Sequence, residues 1–94
     1  MVVSLVSTAP NRELYDKVAK VVDLENNRPA GLVFHAAAEL PSGEVQIVDV
    51  YESPDALRAA EESLLFPAFA EAGVTEIVAG LERPQVHEVF ELVR

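Results

Sequence analysis

The chain has 94 residues, half of them hydrophobic, with no cysteine and no tryptophan. That composition excludes a disordered segment, a disulfide scaffold and a thiolate metal site, and the length fits one domain with its own core. Seven basic residues against sixteen acidic give a net charge of −9, which opposes binding to nucleic acid or to an anionic membrane surface.

No apolar run is long enough to span a bilayer. The start, Met1-Val2-Val3-Ser4, has neither the basic region nor the cleavage site of a secretion signal, so a cytoplasmic protein is expected, with residues 1–94 as a single domain. Val2 to Val6 reads as a short strand. Thr8 is placed as a helix cap, with Pro10 in the first turn. Leu14, Val18, Val21 and Val22 then form one apolar stripe, and Glu25-Asn26-Asn27-Arg28-Pro29 ends the helix.

Gly31 opens a hairpin. Its arms are Leu32–Ala38 and Val45–Tyr51, and its turn is Pro41-Ser42-Gly43. Centred on Ser42, the hairpin sets His35 opposite Asp49, Val33 opposite Tyr51 and Ala37 opposite Ile47. Centred one half-step later, it pairs His35 with Val50 and mixes polar and apolar residues on both faces. The first register is preferred because it gathers the polar groups on one face.

Ser53-Pro54-Asp55 supplies a cap, a first-turn proline and an acid at the positive end of a second helix. Leu57, Ala60 and Leu64 face inward. Pro67 lacks an N–H, so regular hydrogen bonding is expected to stop near Ser63, with Phe66 pushed out of helical geometry. A last short turn of helix ends at Gly73. Val74 to Gly80 shows no clear period, and Pro84 to Val93 reads as the final strand.

The order βαββαβ predicts an α+β, ferredoxin-like antiparallel sheet with helices on one face. The helices are expected over the face of Phe34, Val48 and Val50. The other face would still carry Val33, Val45, Ile47 and Tyr51, and a second copy of the chain is the economical cover for it. A homodimer is therefore expected.

The Gly-Leu-x-x-His run, the Ser-Gly turn, Val-Asp-Val-Tyr-Glu-Ser and Leu-Phe-Pro-Ala-Phe-Ala-Glu-Ala-Gly carry a resemblance over nearly the whole chain. They resemble the dimeric α/β-barrel superfamily, and within it small actinobacterial proteins related to antibiotic-biosynthesis monooxygenase domains. The resemblance implies a barrel made by two chains. It also implies cofactor-free monooxygenase, cyclase or isomerase chemistry on an apolar or aromatic metabolite, with a non-catalytic small-ligand-binding or dimerisation module as the alternative. Relatives often carry tryptophan where Tyr51 stands, so a tryptophan-dependent or heme-degrading mechanism does not transfer.

His35 and Asp49 are the candidate catalytic pair. A carboxylate orients an imidazole and favours its charged form, which suits proton transfer, although a structural histidine satisfied by Asp49 has the same pattern. Tyr51 at a strand end, Phe66 and Phe69 around the proline, and His87 are the candidate ligand-binding residues, with core or surface roles as their ordinary alternatives. His35, Asp49 and His87 are the residue types of a two-histidine, one-carboxylate site, but their spacing does not support one, and neither metal nor cofactor is expected. No zinc-protease motif, glycine-rich phosphate loop or nucleophile elbow occurs.

Overall fold

The computed structural model describes residues 1–94. The chain runs β1 (Val3–Ala9), α1 (Arg12–Val22), β2 (Leu32–Glu39), β3 (Val45–Tyr51), α2 (Pro54–Ala60), a π-turn (Glu61–Leu65), α3 (Phe66–Glu71), α4 (Thr75–Ala79) and β4 (Gln85–Glu88). The sheet order is β2-β3-β1-β4 and every neighbouring pair is antiparallel. With the helices on one side, this is a ferredoxin-like α+β fold. No helix is long and apolar enough to cross a membrane.

The β2–β3 hairpin fixes the geometry of everything that follows. Leu40 and Gly43 close a tight turn, and Gly43 takes a φ of 92°, a conformation that glycine adopts without steric cost. The resulting three-residue loop is centred on Ser42, so His35 opposes Asp49 and Ala37 opposes Ile47. The register slips at Val33, where a bulge brings Leu32, not Val33, opposite Tyr51. The Arg28 guanidinium donates to the carbonyls of both Leu32 and Val33, at 2.8 and 2.9 Å, and so satisfies the bulged backbone.

The side of the sheet under the helices differs from expectation. The buried cluster joins Val3, Leu5, Leu32 and Tyr51 of the sheet to Leu57 and Ala60 of α2. His35 and Asp49 lie on this same face, because residues directly opposite in a ladder share a face. Phe34, Val48 and Val50, expected under the helices, lie on the opposite face with Val6. No helix covers that face, and Phe34 is 40% exposed there. The covered face is the one that carries His35 and Asp49, because the helices enclose a space that admits polar groups. Only 13 of the 94 residues are buried, as a core interrupted by a cavity and bare on one side would have.

Several boundaries also move. β1 continues to Ala9, so Thr8 lies in the strand. The helix cap is Asn11, whose side chain accepts from the Leu14 N–H. α1 ends earlier than expected, at Val22, with Asp23 in the left-handed conformation donating its N–H to Ala19. The segment without a clear period forms α4. β4 is only four residues long, and Phe90 and Val93 beyond it are exposed.

Pro67 interrupts the α-helical hydrogen-bond pattern, but Phe66 keeps helical angles (φ −63°, ψ −43°), contrary to expectation. The chain absorbs the proline by widening one turn: the Phe66 N–H donates to Glu61, five residues back. Ser63 Oγ donates to the Ala59 carbonyl at 2.7 Å within the same stretch. Gly73, at φ 73°, then ends α3 as predicted.

Candidate functional site

α1 turns Tyr15, Val18, Ala19 and Val22 toward the sheet, at the i, i+3, i+4, i+7 spacing of one helix face. β2 brings His35 to that face, and β3 brings Asp49 directly across from it. Three side chains from three elements meet there. Nδ1 of His35 bonds to Oδ1 of Asp49, and Nε2 of His35 lies 2.8 Å from the Tyr15 hydroxyl. The Tyr15 and His35 rings are nearly parallel, 11° apart.

The roles follow from the donors available. A carboxylate only accepts, so His35 donates Nδ1–H to Asp49. In the neutral imidazole Nε2 then accepts from the Tyr15 hydroxyl; in the imidazolium Nε2–H donates to the Tyr15 oxygen. The hydrogen bond to Asp49 raises the His35 pKa above its ordinary value, and partial burial opposes that rise. Burial, and then the charge of Asp49, raise the Tyr15 pKa and keep the phenol neutral. Asp49, 8% exposed, is the one charged residue in the core. A buried carboxylate is costly unless paired, and His35 is its pair.

The trio stands in the wall of a cavity of about 800 Å³ between the sheet and the helices. Eighteen of its 29 lining residues are hydrophobic, which suits an apolar occupant. Tyr51, Phe66 and Phe69 line it too, the two phenylalanine rings 6.3 Å apart and tilted. The Tyr51 hydroxyl has no partner within the chain, yet no fully buried polar side-chain atom is unpartnered, so this hydroxyl opens on the cavity. Burial foremost, with the charges of Asp49 and Glu61, pushes its pKa up to about 12. Glu61, on the π-turn, also lines the cavity, and burial raises its pKa.

A second, smaller recess of about 300 Å³ is also lined by Tyr15 and His35, together with Arg12 and Glu39. Arg12 forms an ion pair with Asp16 at 2.8 Å and approaches Glu39 at 3.8 Å.

Five of the six residues singled out from the sequence therefore line one cavity: His35, Asp49, Tyr51, Phe66 and Phe69. His87 does not join them. It is exposed on β4, opposite Ser4, on the bare face of the sheet, so the set His35, Asp49 and His87 is not assembled. No group of three or more histidine, cysteine or carboxylate side chains is clustered in a metal-binding arrangement. Tyr15 is the member that sequence reasoning missed. Its place on the Val18–Ala19–Val22 face of α1 was a readable signal.

No protein-family model matches the chain, and no curated protein matches it. Solved structures do. One is an antibiotic biosynthesis monooxygenase-like protein of Chloroflexus aurantiacus, with a TM-score of 0.68 and 16% identity, over 100% of this chain and 98% of the other. Rv0793 from Mycobacterium tuberculosis matches with a TM-score of 0.67 and 16% identity over 100% and 98%. A variant of SnoaB, a cofactor-independent oxygenase from Streptomyces nogalater, matches with a TM-score of 0.66 and 16% identity over 98% and 96%. The chain shares the fold of the antibiotic biosynthesis monooxygenase-like proteins.

Proposed function

We propose that this protein is a small enzyme that transfers a proton to or from an apolar or aromatic metabolite, without a bound metal or nucleotide. The reaction would be of monooxygenase, cyclase or isomerase type. The observation that carries this reading is the placing of His35 and Asp49 in the wall of a largely apolar cavity of about 800 Å³. A histidine held by a carboxylate is a suitable general base or acid, and the apolar lining suits an aromatic ligand. Tyr51, Phe66 and Phe69 would contact that ligand. The shared fold with a cofactor-independent oxygenase supports chemistry without a cofactor. The test is a thermal-shift screen of hydroxylated naphthalenes and anthracenes, followed by product analysis of the hits under air and under nitrogen. Conversion by the wild type and not by His35→Ala supports the reading. Equal conversion by both, or no stabilising compound at all, overturns it.

One observation favours a second reading, ligand binding without turnover: Tyr15, His35 and Asp49 already satisfy one another. On that reading His35→Ala weakens the fold, and no compound is converted by either protein.

We further propose a homodimer in the cytoplasm. Phe34, Val6 and Val48 give the bare sheet face an apolar patch that a second copy would cover, while Val50 is already buried within the chain. Light scattering should then report about 20 kDa, twice the 10.2 kDa of the chain. A monodisperse monomer at micromolar concentration would rule out the dimer.

A further inference from the structure

We propose that Tyr15 is the residue that meets the ligand, and that it passes a proton between a weakly acidic ligand hydroxyl and Nε2 of His35. The inference rests on the cavity reading above and assigns its proton-transfer group. Both ring nitrogens of His35 are engaged within the protein, Nδ1 by Asp49 and Nε2 by the Tyr15 hydroxyl at 2.8 Å. His35 therefore offers a ligand no free nitrogen. The Tyr15 oxygen does have capacity to spare, since a hydroxyl can donate once and accept twice. Tyr15 and His35 both line the large cavity and the smaller recess, and of the two only Tyr15 has a polar atom with bonding capacity left.

The transfer balances without any further reactant. With His35 neutral, Tyr15 donates its hydroxyl hydrogen to Nε2 and its lone pairs accept from the ligand O–H. The ligand proton moves to the Tyr15 oxygen as the Tyr15 proton moves to Nε2. The products are a ligand oxyanion, a neutral Tyr15 and an imidazolium bonded to Asp49. A charge of −1 on the trio becomes zero as the ligand gains its own negative charge.

The same charges define the ligand. Asp23, Glu25, Asp49, Glu61 and Glu82 line the cavity against the single cation Arg83, on a chain of net charge −9. These carboxylates repel an anion on entry, and inside the cavity the imidazolium formed by the transfer offsets that repulsion. The occupant arrives neutral and ionises inside, which describes an apolar ring compound bearing a phenolic or enolic hydroxyl. Tyr51, with its hydroxyl open on the cavity, can donate to a second oxygen of that compound.

The test uses 4-nitrophenol, whose ionised form is read by its visible absorbance. Wild-type protein should bind it and shift its acid–base equilibrium toward the ionised form by about tenfold, one pKa unit. Tyr15→Phe keeps the ring but has no oxygen to relay the proton. It should still bind the probe, by titration calorimetry, and lose the tenfold shift. Nitrogen-15 spectra should show Nε2 of His35 becoming protonated on probe binding in the wild type and not in Tyr15→Phe. If Tyr15→Phe ionises the probe as the wild type does, the relay through Tyr15 is overturned while the cavity reading stands. If wild-type protein binds the probe without ionising it, the relay is likewise overturned. Failure of the wild type to bind the probe removes the cavity reading, and the relay with it.

Discussion

On the helix side of the sheet the strands present His35, Asp49 and Tyr51; on the other side they present Phe34, Val6 and Val48. The covered face sets that polar pair among the apolar core residues Val3, Leu5 and Leu32, and the bare face leaves Phe34 exposed beside the polar Ser4 and His87. An isolated domain would more often keep a charged pair outside and a large apolar side chain inside. The two exceptions have separate causes. Beneath the helices, a cavity lets polar groups stand inside the fold provided that they bond to one another. On the bare face, no helix lies over Phe34, and its ring stays partly in water. One side encloses a cavity and the other is an open surface.

Four experiments test this contrast, from the largest expected effect to the smallest. Gly31, just before β2, packs against α2, with φ 84° and an added Cβ falling 2.6 Å from the Cβ of Ala56. Gly31→Ala should cost about 3 kcal/mol in urea unfolding, combining backbone strain with displacement of the helix. Gly43 has a similar φ of 92° but open space around it, so Gly43→Ala should cost only about 1 kcal/mol. Equal losses would mean that the helix is not seated tightly against the hairpin.

His35→Ala leaves Asp49 buried without its partner and should cost about 2 kcal/mol by the same measurement. A neutral effect would show that water from the cavity solvates the carboxylate and that the pair adds nothing to the fold. On the bare face, Val48→Lys should leave the fold within about 0.5 kcal/mol of the wild-type monomer, yet halve the mass seen by light scattering. Loss of the fold itself would place Val48 in a core that the two-sided picture does not contain.

The smallest effect is one of pH. The His35 pKa is raised above 6.5 in the folded protein, so the folded state binds the proton more tightly than the unfolded chain does. The resulting stability is fully present below about pH 6.5 and is lost as pH rises through the raised value. The urea midpoint should fall across that window in the wild type and stay level in His35→Ala. Turnover that uses His35 as a base should rise across the same window, because only the neutral imidazole accepts. Two opposite trends at one pH would tie both to one residue.

The sequence was most readable where the chemistry was local. Pro41-Ser42-Gly43 set the turn, the turn set the register, and the register placed His35 against Asp49. The bulge at Val33 was not readable, because what supports it is Arg28, a residue outside the hairpin. The choice of covered face failed for a related reason: it depends on a space between layers, which no run of residues encodes. Tyr15 shared a helix face with Val18, Ala19 and Val22 and so was partly legible. Its meeting with His35, twenty residues away, required the packing of α1 on the sheet. The proline effect was foreseen as an interruption, but its form was not, since a break and a widened turn accommodate the missing N–H equally well.

The π-turn at Glu61–Leu65 has one more implication. An α-helix advances about 100° per residue, and the widened turn inserts an angular offset between α2 and α3. Leu57 and Ala60 point into the core before the offset, and Phe66 and Phe69 line the cavity after it. The widened turn holds one residue more than an α-helical turn, so removing one residue from Glu61–Leu65 would restore the ordinary bond four residues back and leave both rings on the wall they now line. Adding a residue there would instead swing both rings by about 100° and away from that wall. The aromatic wall is therefore indexed by chain length as well as by composition.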